Sequence, residues 1–196
     1  MHALIVVAHP AFDSLTQSIA REIAKGVSGA TAQHTTEIFD LAASDFDPRF
    51  TQADIAVLHG KGEMPADVLA EQVRIDKAAA LVLVYPIYWW SMPALLKGWI
   101  DRVFVNGWAF DFADGKLVKK LQDLEVHLIA VGGADPATYE RHGYQAAMTT
   151  QIEHGIFDYC GARVASSTLM LDSETQEPAI HLQKAADIGR SLFQHE

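Results

Sequence analysis

Two short runs, ALIVVA at residues 3–8 and ALVLVY at residues 80–85, carry no charged side chain and are rich in Val, Leu and Ile. A strand with one wet face alternates apolar and polar residues, whereas a run apolar throughout asks for cover on both faces. VHLIAV at 126–131 is nearly as apolar, and 34–41, which alternates weakly, and 162–170 read as two further strands. Helical patterns fall between and after them. Ile19, Ile23 and Val27 recur within 15–27, and Val68, Leu69, Val73 and Ile75 within 66–77. Leu95, Leu96, Trp99, Ile100 and Val103 recur within 93–104, opened by Pro93 in the first turn, and 145–159 and 177–193 complete the set. Five strands alternating with five helices predict an α/β fold: a doubly wound parallel sheet with helices on both faces. Sheets of this kind bind ligands beyond the carboxyl ends of their strands, where the strand order reverses. The loops that matter are therefore 9–16, 86–92 and 132–144.

The 196 residues suffice for a single domain, expected to span 1–196, with a core that needs no staples. A formal net charge of −10 argues against nucleic acid as a main partner and against a polybasic membrane anchor. The one cysteine, Cys160, allows no internal disulfide and suits a reducing compartment. The opening MHALIVVAHP lacks a basic segment and is cut short by Pro10, so it reads as a first strand and not as a signal peptide. No apolar stretch approaches a membrane span. The expectation is a cytoplasmic protein without membrane insertion.

The first loop, AHPAFDSLTQ, leaves a strand and enters a helix near Ser14. Ser14 with Gln17 three residues on is a capping box. The same helix start, with His9 and the Ser14 and Thr16 hydroxyls, can hold a phosphate, and the two readings are compatible. No G-x-G-x-x-G fingerprint opens a helix after a strand and no Walker sequence is present, which argues against a Rossmann-type NAD or P-loop nucleotide. The second loop, PIYWWSM, sets Trp89 beside Trp90, and Trp99 and Trp108 follow closely. An aromatic cluster can be core, but at a sheet's ligand edge tryptophan gives a rigid face for a planar ring. The third loop, VGGADPATYERHGY, brings a double glycine, which allows close backbone approach, and then Tyr139, His142 and Tyr144, which can donate or relay protons. Other constellations are poor. The nine histidines form no zinc pattern, Ser91 has no triad context, and Asp45, Asp47 and Asp54 read as a turn around Asp47-Pro48 in preference to a metal site.

With these loops in view, the chain resembles the flavodoxin-like NAD(P)H:quinone oxidoreductases, the animal DT-diaphorase and its smaller bacterial relatives. The residues that carry the resemblance are ALIVVAHPAFDSLTQSIA at 3–20, MPADVLAEQVRIDKAAALVLVYPIYWWSMPALLKGWIDRVF at 64–104, NGWAF at 106–110 and the third loop. The resemblance implies the strand order 2-1-3-4-5. It also implies a flavin, FAD or alternatively FMN, with NAD(P)H as reducing co-substrate and a quinone-like acceptor, in a two-electron ping-pong exchange. By the same resemblance, His9, Ser14, Leu15 and Thr16 hold the flavin's phosphate and sugar chain. Pro86, Ile87, Tyr88, Trp89 and Trp90 seat its ring, and Ala130, Val131, Gly132, Gly133 and Tyr139 form a second wall. Trp108, Ala109, Phe110 and Asp111 line the substrate pocket. Tyr139 and His142 are the expected proton relay, with Tyr144 an alternative to His142. No metal is implied. Val131 stands where the family often has threonine, which removes one side-chain hydrogen bond to the flavin. Members of the family are homodimers whose second chain helps complete the site. Other relatives of this type are ancillary proteins of potassium-efflux systems, and a flavodoxin-type electron carrier is a further alternative.

Overall fold

A computed structural model describes residues 1–113 and 115–194. The strands are β1 (His2–Val7), β2 (Thr35–Asp40), β3 (Ala80–Pro86), the short β4 (Phe110–Ala113) and β5 (Lys116–Lys119), then β6 (Glu125–Val131) and β7 (Arg163–Met170). The helices are α1 (Leu15–Ala30), α2 (Gln52–Leu58), α3 (Ala66–Ile75), α4 (Ala94–Val103), α5 (Pro136–His142), α6 (Tyr144–Met148) and α7 (Pro178–Ser191). After α6 the helix continues through Thr149–Asp158 with the wider π winding.

The main sheet runs β2-β1-β3-β6-β7, every neighbouring pair parallel. This is the expected order once the antiparallel β4–β5 hairpin, which the periodicity did not predict, is set aside. The apolar runs are apolar throughout because alternate residues serve two cores. Ala3, Ile5, Val7, Val82 and Val84 pack beneath α1 and α7. Leu4, Val6, Leu81, Leu83 and Tyr85 pack beneath α3, α4 and α6. Strands β2 and β7 lie at the sheet's edges and are only partly buried, which accounts for their weaker patterning. Helices α2 and α5 are also additions, each short and each closed by a polar cap.

Helix α4 follows the tryptophan pair and is fixed on two sides. Gly98 lies so close to Pro48 that an added Cβ would stand 2.2 Å from the Pro48 carbonyl oxygen. Arg102, one turn on, is buried; it donates to Asp54 at 3.1 and 3.2 Å, to Asp67 at 2.5 Å and to the Asp47 carbonyl at 2.9 Å. Asp54 in turn closes a capping box with Thr51 at the start of α2. Asp47 holds Arg49 through its carboxylate, which also accepts the Arg49 amide at 3.0 Å, and the chain bends there. Trp99 is fully buried and donates its indole N–H to Glu71 at 3.1 Å.

Candidate functional site

All three singled-out loops meet at the carboxyl edge of the central strands. In the first, the His9 Nδ1 accepts from the Ala11 amide at 3.0 Å, and Ser14 caps α1 by accepting from the Gln17 amide at 3.2 Å. Thr16 and Gln17 are buried, and the Gln17 amide group donates to Asp40 at 2.5 Å, which ties this loop to the end of β2. The first turn of α1 holds no acidic residue, so its positive end is uncompensated by the helix itself.

The second loop is a closed turn. Tyr88 and Ser91 exchange backbone hydrogen bonds, both at 3.1 Å, around Trp89 and Trp90. Both tryptophans have positive φ, 49° and 60°, the combination of a type I′ turn, where Asn-Gly is the usual choice. Left-handed backbone costs a bulky residue about 1–2 kcal/mol. Such strain persists where surrounding structure over-determines it and is concentrated at ligand clamps. Trp89 is 93% exposed, whereas Trp90 is half-buried. The Trp90 ring stacks on Tyr144 (centroids 3.8 Å apart, 10° between planes) and meets Tyr139 edge-on at 5.4 Å. The Ile87 amide donates to Val131 at 2.7 Å, locking this loop to the third.

In the third loop the glycines leave tight clearance to what lies against them. A Cβ on Gly132 would sit 3.1 Å from the Tyr139 hydroxyl, and one on Gly133 would sit 3.0 Å from the Glu174 carboxyl group. The Gly132 amide is already given to the Met170 carbonyl at 3.0 Å, which leaves Gly133's as the glycine amide available to a ligand. Asp135 caps α5 by accepting from Thr138 at 2.7 Å, and Gly143, with φ of 67°, ends it in the left-handed form. Tyr139 is thereby buried, and that burial raises its phenol pKa above the usual value. His142 is exposed; its ring contact is with Tyr144 at 5.2 Å, and it accepts from Arg141 at 3.3 Å.

Between the second and third loops lies a cleft of about 190 Å³, lined by Ile87, Trp89, Trp90, Gly132, Gly133, Ala134 and Tyr139; none of His9, Ser14, Leu15 or Thr16 lines it. Six of these seven residues were singled out from the sequence, and Ala134 was not. Pro86, Ala130 and Val131 stand behind the cleft as buried ends of β3 and β6, and Tyr88 points half out to solvent. The loop after β7, which the sequence did not single out, packs against the glycine pair, since the Ser173 amide donates to the Gly132 carbonyl at 3.1 Å and Glu174 overlies Gly133. Its composition carries no pattern that would mark it.

Trp108, Ala109, Phe110 and Asp111 lie elsewhere in the chain. The Trp108 indole donates to Asp76 at 3.0 Å, and Asp76 precedes β3, whereas the cleft follows its end. Seven strand residues at about 3.3 Å each put roughly 20 Å between them. Ala109 is buried there, Phe110 packs on Tyr159 at 5.2 Å, and Asp111 pairs with Lys120 at 3.2 Å. The hairpin beyond them presents Phe112 and Val118 to solvent.

The parallel order, the cleft at the strand ends and the capped α1 beside it coincide with a match of residues 1–192 to one family of sequences. The chain belongs to the flavodoxin-like fold family. Among its relatives, an uncharacterized NAD(P)H oxidoreductase of Haemophilus influenzae is 29% identical over 163 residues, 82% of this chain and 79% of that protein. The ribosyldihydronicotinamide dehydrogenase (quinone) of Mus musculus is 27% identical over 219 residues, 98% of this chain and 92% of that one. Among solved structures of the fold, the NAD(P)H:quinone oxidoreductase from Methanothermobacter marburgensis superposes with a TM-score of 0.87 at 27% identity, covering 100% of this chain and 98% of that one. Among the described residues, no helix of this flavodoxin-like chain is long and apolar enough to cross a membrane.

Proposed function

We propose that the protein is an NAD(P)H:quinone oxidoreductase whose cleft would hold a flavin, FAD in preference to FMN, a group that would supply two-electron hydride chemistry between NAD(P)H and a quinone-like acceptor. The observation that carries this reading is the cleft between a strained Trp-Trp turn and a glycine pair kept free of side chains, at the carboxyl ends of β3 and β6. The donor set fits such a group. Aromatic surface at Trp89 and Trp90 suits a planar ring, and the Gly133 amide can meet its polar edge. The N-terminal turn of α1, with His9, Ser14, Leu15 and Thr16, suits the phosphate.

Within this reading the chain's own residues bind, orient and hold a proton. The Tyr139 hydroxyl, beside Gly132, is placed to donate a hydrogen bond to the polar edge of a ring held in the cleft, where it would stabilise negative charge. Its raised pKa keeps it a donor well above neutral pH. His142, three residues on in the last turn of α5, is the proposed partner of Tyr139 in the relay. The roughly 20 Å between the cleft and Trp108–Asp111 supports a homodimer, in which each copy brings these residues to the other's cleft by a two-fold arrangement. The exposed Phe112 and Val118 on one end and the exposed Trp89 on the other supply apolar surface for it.

The test is direct. Chromophore released from purified protein is identified by chromatography, and NADH and NADPH oxidation is followed with a panel of quinones. Steady turnover with simple quinones is expected, and a colourless protein unable to take up added flavin refutes the reading. For the dimer, Phe112→Asp is expected to halve the mass in sedimentation; an unchanged mass removes the hairpin from the interface.

A further inference from the structure

The strain in the Trp89–Trp90 turn raises the question of what holds it. Its internal hydrogen bonds, Tyr88 with Ser91, close the turn but do not orient it against the rest of the molecule. The outside contacts come mainly from one helical segment. Tyr144, its first residue, lays its ring flat on Trp90 at 3.8 Å. Gln151, seven residues on and just inside the π-wound continuation of the same helix, accepts the Ser91 hydroxyl at 2.6 Å. Gly143 makes this possible. Its left-handed backbone, with open space around it, ends α5 and starts α6, redirecting the chain so that Tyr139 and Tyr144 reach Trp90 from two sides.

We infer that Tyr144 and Gln151 are positioning residues that fix the Trp89–Trp90 turn from the α6 side and so set the seat of the planar ring that the cleft binds. This rests on the proposed function for the ring itself, but not for the fixing of the turn. Neither residue lines the cleft, and each acts through a residue of the turn, Trp90 or Ser91. The role assigned to Tyr144 belongs to its ring and not to its hydroxyl, because the contact is a parallel stack with no hydrogen bond between the two side chains. The structure thus separates the two tyrosines. Tyr139 offers a hydroxyl to the cleft, and Tyr144 offers a face to Trp90.

The experiment compares wild type, Tyr144→Phe, Tyr144→Leu and Gln151→Ala. Hydrogen exchange of the peptide over 86–92 is measured first on flavin-free protein, with the melting temperature as a check on folding. Tyr144→Leu and Gln151→Ala are expected to speed exchange there at least tenfold while distant β1 peptides stay unchanged, and Tyr144→Phe to match wild type. Unchanged exchange in both Tyr144→Leu and Gln151→Ala overturns the inference, as does Tyr144→Phe exchanging as fast as Tyr144→Leu. Flavin affinity, read by fluorescence titration, is then expected to fall about tenfold in Tyr144→Leu and to be restored in Tyr144→Phe. Faster exchange with unaltered flavin affinity overturns the link between turn and seat. Failure of the wild type to bind flavin sinks the proposed function instead, while the exchange data still decide whether these residues hold the turn.

Discussion

Replacing Gly98 by alanine tests how tightly the helix behind the cleft is set. In an ordinary helix interior this change stabilises by about 1 kcal/mol, since alanine is the better helix former. Here the new Cβ would stand 2.2 Å from the Pro48 carbonyl oxygen and 2.5 Å from the Pro48 Cβ. Neither atom can swing away as a flexible side chain would, so α4 and the 47–54 segment must part by roughly 1 Å to reach ordinary contact distances. Overpacking of this kind costs about 1–3 kcal/mol. Parting the two also stretches the bond from Arg102 to the Asp47 carbonyl, and a hydrogen bond to a charged group contributes about 1.5–3 kcal/mol. The clash outweighs the propensity gain, and the net loss is expected to be about 2–4 kcal/mol. Urea unfolding, with wild type and variant sharing one m-value, measures it. A Gly98→Ala protein as stable as wild type, or more so, would refute the reasoning and mean that Pro48 yields freely.

Trp89→Gly should relieve the left-handed strain and raise stability by about 1 kcal/mol in the same assay while weakening flavin binding, because the exposed ring is lost. A variant that gains stability and keeps full flavin affinity would remove Trp89 from the seat. Tyr139→Phe should leave flavin bound and slow its reduction by NAD(P)H about tenfold in stopped flow, and an unaltered rate would free the hydroxyl from that role. Asp54→Asn should cost about 3 kcal/mol, since it strips the buried Arg102 of a charged partner. Burial alone would raise the Asp54 pKa, but hydrogen bonds from Thr51 and Arg102 outweigh it and leave it lowered. Its stabilising contribution is therefore present above the ordinary carboxylate range and lost as pH falls below about 4, and the Asn variant should show a shallower acid limb in urea titrations.

The central strands were legible because burial on both faces leaves no alternation to confuse with loop or helix, as 3–8 and 80–85 illustrate. The hairpin was missed although Asp114-Gly115 is a hairpin signal in the sequence, because its two strands are four residues long and their patterning is short. Helix α5 was read as loop, since Asp135-Pro136 serves both as a turn signal and as a helix start.

The sequence by itself determined the α/β class, the loops that carry the cleft and the presence of an aromatic turn beside a glycine pair, because each depends on residues adjacent along the chain. The tertiary structure alone decided three things that depend on distant contacts. Trp89 and Trp90 take a backbone form their side chains disfavour, in a turn that Tyr144, Gln151 and Tyr139 meet from distant parts of the chain. Trp108 through Asp111 lie at the far end of the sheet, because α4 runs back along β3 and carries them away from the cleft. The Gly132 amide is taken by Met170, a residue nearly forty positions on that only the sheet brings alongside.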